Sequence, residues 1–275
     1  MFGMPAPFRM HSAMSTSNSC TRIVDVPLAQ SSALILKAWE RNYRHWSDYA
    51  RDDTFHQAAY REIEREIRTL ASPSKKVALI DLGCGTGDFL RHLQKSKLWT
   101  GLAGIDHCRQ AIDRARNADI AGFPRIVYHI ADLSSPVANI VLSGIRSNHI
   151  AISVFLLDEM PFLERFFRVA GNLVLPGGHL ICAMLDEACE RERHDFAEQN
   201  GHNAAEPVVL QTVKRDEFGG ELLYYRIVRP RNDPAEQAAR AGWCLLSDRT
   251  FRSDDLKSRV GPALRLLVFR QREKT

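Results

Sequence analysis

The sequence has no pair of cysteines two residues apart and no Cys/His grouping at zinc-ligand spacing. Its six cysteines, Cys20, Cys84, Cys108, Cys182, Cys189 and Cys244, therefore read as reduced, mostly buried thiols of a reducing compartment, and no metal is expected. No uninterrupted apolar stretch approaches the ~18 residues that a membrane span needs. The N-terminal segment likewise has no continuous apolar run of signal-peptide length. A cytoplasmic protein without a membrane partner is expected. Charge of one sign is never concentrated: no run of five like charges occurs, which argues against a nucleic-acid-binding tail. Glycine (16) and proline (12) are too few for a collagen-like or low-complexity chain.

What remains is an ordinary globular composition, 45% hydrophobic and 25% charged over 275 residues. Such a length buries a sizeable core without disulfide staples and holds one large domain with elaborations. The net charge of +4 is unevenly placed: from Glu206 onward 14 Lys/Arg stand against 10 Asp/Glu, while the residues before it balance. The C-terminal surface is thus expected to be mildly basic.

Residues 1–25 predict a disordered leader, with Met10 and Met14 as alternative starts. Two amphipathic helices follow, one carrying Leu34, Ile35, Ala38, Trp39, Tyr43 and Trp46, the other Phe55, Ala59, Ile63, Ile67 and Leu70. From Val77 short apolar runs at 77–82, 101–106, 125–130, 149–157 and 178–185 read as strands. Helical patterns at about 87–96, 108–118, 135–146 and 161–174 separate them, and this alternation predicts right-handed βαβ units on a parallel sheet. Past residue 186 the rhythm changes. A helix over 186–200, a hairpin turning at Phe218-Gly219-Gly220, a short helix over 233–241 and two terminal strands of antiparallel type are expected.

The first strand of that series runs into Asp81-Leu82-Gly83-Cys84-Gly85-Thr86-Gly87. Glycine within an element costs about 0.5–1 kcal/mol relative to alanine, so three of them imply a close approach to the backbone. A dinucleotide fingerprint, G-x-G-x-x-G, would need its third glycine at position 88, where this chain has Asp88. An acid there would also repel a pyrophosphate at the helix N-terminus.

The G-x-G-x-G spacing after Asp81 resembles the first motif of the Rossmann-like (class I) S-adenosylmethionine-dependent methyltransferases. Further features in order extend the resemblance over roughly residues 40–270: Asp106 closing the second strand, Asp132 in "IADL" after the third, and "RVAGNLVLPGG" after the fourth. The resemblance implies an α/β fold, a mixed seven-stranded sheet flanked by helices, with an N-terminal helical lid over 26–75 and a core over 76–275. A lid or substrate segment at 186–232, including the hairpin, would be inserted in that core. It implies S-adenosyl-L-methionine as cofactor, held by Asp81, Gly83, Cys84, Gly85, Thr86, Gly87, Asp106, His107, Asp132 and Leu133. In that family the acid at Asp106 receives the ribose hydroxyls and the acid at Asp132 the adenine amino group. "WSDYARDD" is similar to the segment covering the methionine end, which adds Tyr49.

The family needs no fixed catalytic group, because methyl transfer depends mainly on alignment, worth up to about 7–11 kcal/mol. A base serves only acceptors that must lose a proton. Asp158 and His56 are the candidates for that role, and Tyr43, Asp158 and Glu159 for acceptor binding. Asp158-Glu159-Met160-Pro161 lacks the double proline of nucleobase-amine and glutamine methyltransferases. The expected activity is methyl transfer to an O, N or C atom of a small-molecule metabolite, in biosynthesis, by a monomer or homodimer. One alternative is an RNA or protein methyltransferase docking through Arg226, Arg229 and Arg231. Another is a non-catalytic S-adenosylmethionine-binding regulator.

Overall fold

The computed structural model describes residues 19–23, 28–52, 54–71, 77–95, 99–118, 123–135, 138, 145, 148–186, 207–215, 221–251 and 263–273. The strands are β1 (Ser19–Ile23), β2 (Val77–Leu82), β3 (Trp99–Asp106), β4 (Val127–Ile130), β5 (Asn148–Val154), β6 (Val174–Leu185), β7 (Val208–Arg215), β8 (Glu221–Val228), β9 (Trp243–Phe251) and β10 (Leu264–Gln271). The α-helices are α1 (Leu28–Asp52), α2 (Thr54–Leu70), α3 (Asp88–Gln94), α4 (Arg109–Asn117), α5 (Leu163–Leu173) and α6 (Asp233–Arg240), and a 3-10 turn spans Leu157–Glu159.

Seven strands form one mixed sheet in the order β4-β3-β2-β5-β6-β10-β9. The first five are parallel, and β10 runs antiparallel to both β6 and β9. The chain builds outward from β2 to β4, then returns to start β5 on the other side of β2. That reversal opens a crevice beyond the carboxyl ends of β2 and β5.

Near-continuous apolar strands are what a sheet covered on both faces requires. Ile80, Ala151, Leu180, Cys182, Leu267 and Phe269 point to one face, where α5 and α6 bring Phe166, Phe167 and Ala238. Their strand neighbours Leu79, Ile150, Ile152, Ile181 and Val268 point to the other, under Ile63 and Ile67 of α2, Leu90 of α3 and Ile112 of α4. Each strand thus shares its residues between two cores with a period of two.

The fourth strand stops sooner than its apolar run suggests. Phe155 has φ 57, a left-handed conformation that a bulky side chain adopts only where its surroundings impose it, and β5 ends at Val154. Its amide donates to Ala183 O at 2.8 Å, so the chain bends at the end of β5 while staying tied to β6.

A second sheet, in the order β1-β7-β8, is antiparallel throughout. Ser19–Ile23 pairs with Leu210–Lys214, so the last part of the expected leader is a strand; residues 1–18 lie outside the described residues. Edge pairing supplied that order, which hydrophobic periodicity in a five-residue stretch did not reveal. The hairpin is present as β7 and β8, with its turn outside the described residues. The helices expected over 186–200 and over most of 135–146 also lie outside them.

Candidate active site

The loop after β2 wraps against the end of β3: Gly83 and Cys84 amides both donate to Ile105 O, at 2.8 and 3.0 Å. Gly83, Gly85 and Gly87 have φ of 81, 53 and 75, all left-handed. Their neighbours differ. A Cβ on Gly87 would lie 2.4 Å from Tyr128 Oη, and one on Gly83 3.0 Å from the Leu156 side chain, so those two glycines admit the fold's own residues. At Gly85 a Cβ would meet nothing within 4 Å, and this is the glycine that leaves the backbone open to a ligand. Cys84 is a buried filler, packed where Gly104 leaves room, with its thiol pushed up by burial and by Asp106 and Asp81.

Asp88, which departs from the dinucleotide pattern, closes the loop internally. Its carboxylate accepts from Thr86 Oγ1 and from Arg91 Nη2, while Arg91 Nη1 donates to Thr86 O at 2.6 Å. Asp106 ties the loop to the next helix: Oδ2 accepts from the Gly85 amide and Oδ1 from the Cys108 amide, both at 2.8 Å.

Asp81 is 2% exposed, and its Oδ1 has no hydrogen-bond partner among the described residues. Burial, and secondarily the neighbouring Asp106, push its pKa up to about 8. A buried carboxyl without a partner is costly, and a cationic ligand group beside it would remove the cost. His107 Nε2 is likewise buried without a partner. The open Gly85, the orphaned Asp81 and His107 atoms, and a carboxylate at the end of β3 suit a ligand that combines a diol, a heterocycle and an ammonium. S-adenosylmethionine has all three.

A crevice lies beside this loop, lined by Ser32 and Leu36 of α1, His107, Asp132, Ser134 and Glu159, among others. Asp132 is exposed, and its Oδ1 is engaged by both the amide and the hydroxyl of Ser134, at 2.8 and 2.6 Å. Leu133 is buried in the core and does not line the crevice.

The two acids after β5 part company. Glu159 faces the crevice and accepts from Trp39 Nε1 of α1. Burial pushes its carboxyl well above the usual range, the Trp39 hydrogen bond opposes that rise, and Asp158 and Asp106 add to it. Asp158 is buried on the other side, against the end of β6, where Oδ2 accepts from the Leu185 amide at 3.3 Å. The structure therefore does not bring Asp158 to the crevice. His56 stands in the first turn of α2 with its ring edge-on to Phe155, centroids 4.9 Å apart, at the carboxyl end of β5. Tyr43 is half-buried in α1 and does not line the crevice. Tyr49 also belongs to α1, but its side chain lies outside the described residues.

Three contributors are absent from the expected set: Ser134, Trp39 and Tyr128. An aromatic stripe on an N-terminal helix does not show which ring meets the core, and Tyr128 enters only through its conflict with a side chain at position 87.

Of the three arginines expected to form a docking strip, Arg226 is half-buried, Arg229 is held inside the fold, and Arg231 is exposed but paired with an acid. Arg229 is buried, donating to Met160 O and pairing with Asp233 at 3.3 Å. Arg231 pairs with Asp186, and Arg265 is buried in a two-pronged pair with Asp248, at 2.9 and 2.7 Å. Arg249 of β9 reaches Glu66 of α2 at 2.8 Å.

Residues 43–220 match the model of the methyltransferase domain family. The chain belongs to this family, and with the site just described it is an S-adenosylmethionine-dependent methyltransferase. It is 27% identical over 193 residues to a tRNA (guanine-N(7)-)-methyltransferase of Rubrobacter xylanophilus, covering 62% of this chain and 86% of that protein. Among solved structures, an S-adenosylmethionine-dependent methyltransferase of Methanosarcina mazei shares the fold at TM-score 0.56 and 17% identity, covering 76% of this chain and 98% of that one. The [4+2]-cyclase SpnF aligns at TM-score 0.59 and 14% identity, covering 88% of this chain and 97% of its own.

Proposed function

We propose that the protein transfers a methyl group from S-adenosylmethionine to a nucleophilic atom of a small-molecule metabolite, in the cytoplasm. The sulfonium of the cofactor supplies an electrophilic methyl carbon. The chain's own work is to bind, align and exclude water. In this reading the Gly85 backbone, Asp106 and His107 hold the nucleoside part, Asp132 the base, and Asp81 the ammonium. His56 is the residue available to accept a proton, because Phe155 holds it at the carboxyl end of β5.

The observation that carries the small-molecule reading is the disposition of charge. Among the described residues, those lining the crevice include Asp132 and Glu159 and no Lys or Arg, and α1 roofs them. Meanwhile Arg229, Arg231, Arg249 and Arg265 are paired with acids of the same chain. A phosphate backbone binds where cations are free to release its counterions, and here those cations are already neutralised. A second reading, methylation of tRNA, is favoured by the tRNA-methylating relative.

The test is label transfer from tritiated S-adenosylmethionine to unfractionated tRNA, and separately to a deproteinised extract of small metabolites. Incorporation into the metabolite fraction alone supports the proposal. Salt-sensitive incorporation into tRNA overturns it in favour of the second reading.

A further inference from the structure

The N-terminal helix and the inserted hairpin, distant in sequence, share one small core. Ile35 of α1 packs with Val209 and Ile227 of β7 and β8, and Leu28, Trp39 and Tyr225 pack around them. Asn42 Nδ2 of α1 donates to Leu223 O of β8 at 2.6 Å, and β1 extends the same sheet. Helix and sheet therefore act as one covering body with its own apolar centre.

Besides packing of α1 along α2, α3 and α4 and of Leu210 and Val228 on Leu185, this body holds one short stretch of the methyltransferase core by hydrogen bonds from both sides. From α1, Trp39 Nε1 donates to the carboxyl of Glu159. From the end of β8, Arg229 Nη2 donates to the carbonyl of the next residue, Met160. Both acceptors lie at the turn that follows β5, on the edge where cofactor and acceptor meet. A lighter contact joins the bodies one face-length away on the helix: Ser32 and Ser134 hydroxyls are 3.4 Å apart. Ser32, Ile35, Leu36 and Trp39 sit at i, i+3, i+4 and i+7, the spacing of a single helical face.

We propose that Glu159 is a positioning residue: acting through the Trp39 indole, it fastens this covering body over the cofactor crevice and so sets how long the cofactor is retained. The proposal rests on the cofactor crevice and is independent of which acceptor is methylated. Its chemistry is that of a hydrogen-bond acceptor, not of a counter-ion. Burial pushes the Glu159 carboxyl above the usual carboxylate range, the Trp39 hydrogen bond opposes that rise, and Asp158 and Asp106 add to it. A carboxamide at this position offers the indole the same carbonyl oxygen. A leucine of similar size offers none.

The experiment is stopped-flow and calorimetric titration of S-adenosylhomocysteine against the full-length protein and the variants Trp39→Phe, Glu159→Leu, Glu159→Gln and Trp39→Phe/Glu159→Leu. Trp39→Phe removes the donor together with part of the ring that packs on Ile35, and Glu159→Leu removes the acceptor and leaves that packing intact, so the double variant separates the hydrogen bond from the packing. Each is expected to speed ligand dissociation about tenfold, corresponding to about 1.4 kcal/mol. Glu159→Gln should stay within threefold of the wild type, and the double variant should be no worse than the more affected single one, since both break the same contact. Wild-type dissociation from Trp39→Phe and Glu159→Leu would overturn the proposal. So would Glu159→Gln behaving like Glu159→Leu, or single effects that multiply. Asp106→Ala run alongside separates the two failures: loss of binding there, with no effect at Trp39, refutes the fastening and leaves the crevice assignment standing.

Discussion

Asp106, the last residue of β3, holds the Gly85 amide at 2.8 Å across 21 positions of sequence. One carboxylate oxygen fixes the open point of the glycine loop, and the other caps α4 through the Cys108 amide. The residue that the family resemblance assigns to the ribose is therefore also the one that shapes the loop.

Gly85 and Gly87 should respond differently to alanine. Gly87→Ala meets Tyr128 as well as an unfavourable φ, and should lower stability by about 2–4 kcal/mol in denaturant unfolding. Tyr128→Phe should relieve part of that loss. Gly85→Ala meets no neighbour and should cost only about 1–2 kcal/mol of stability, yet weaken S-adenosylhomocysteine binding at least tenfold. Equal binding losses at the two positions would contradict the different roles given to them.

Asp81 makes the ligand-free protein sensitive to pH. Its folded pKa of about 8 lies above the ordinary carboxylate value, so folding takes up a proton between the two. The associated stability is present below about pH 4 and is lost as pH rises toward 8, on the order of a few kcal/mol over that window. Thermal melts of wild type and Asp81→Asn should converge at low pH and diverge with rising pH, the wild type becoming relatively weaker. If the cofactor's ammonium lies beside Asp81, ligand binding near pH 7 should release a proton. Calorimetry in buffers of different ionisation enthalpy measures that release, and Asp81→Asn should abolish it.

Arg229 is held inside the fold by Met160 O and Asp233. Arg229→Met leaves the Met160 carbonyl without its donor and takes one partner from the half-buried Asp233, which keeps Gln237, and should destabilise the protein by about 1–3 kcal/mol. Any weak retention on tRNA should be unchanged once samples are matched for folded fraction. A selective drop in tRNA affinity would indicate an accessible arginine.

The sheet was legible from the alternation of apolar runs and helical patterns, because a parallel sheet covered on both faces leaves a continuous hydrophobic signal. Asp81 and the glycine loop were legible because they fall within one strand-turn-helix unit, whereas Asp106 and Asp132, at and just past the ends of the next two strands, were reached through the family resemblance. The partners that cross between units were not. Trp39 meets Glu159 across 120 positions, and β1 joins β7 through backbone pairing that any side chain permits. The opposite facing of Asp158 and Glu159 depends on a 3-10 turn after the strained Phe155, which periodicity does not encode. The acid partners of Arg229, Arg231, Arg249 and Arg265 were not legible either, because they lie on other elements, from Glu66 of α2 to Asp248 of β9.

The most direct test of the account is calorimetric titration of S-adenosylhomocysteine into the wild-type protein and Asp106→Ala, with NAD as control. Micromolar binding to the wild type, at least a hundredfold weaker binding to a folded Asp106→Ala, and none of NAD is the predicted result. Binding that is indifferent to Asp106, or absent from the wild type, would contradict the placement of the cofactor at the carboxyl ends of β2 and β3.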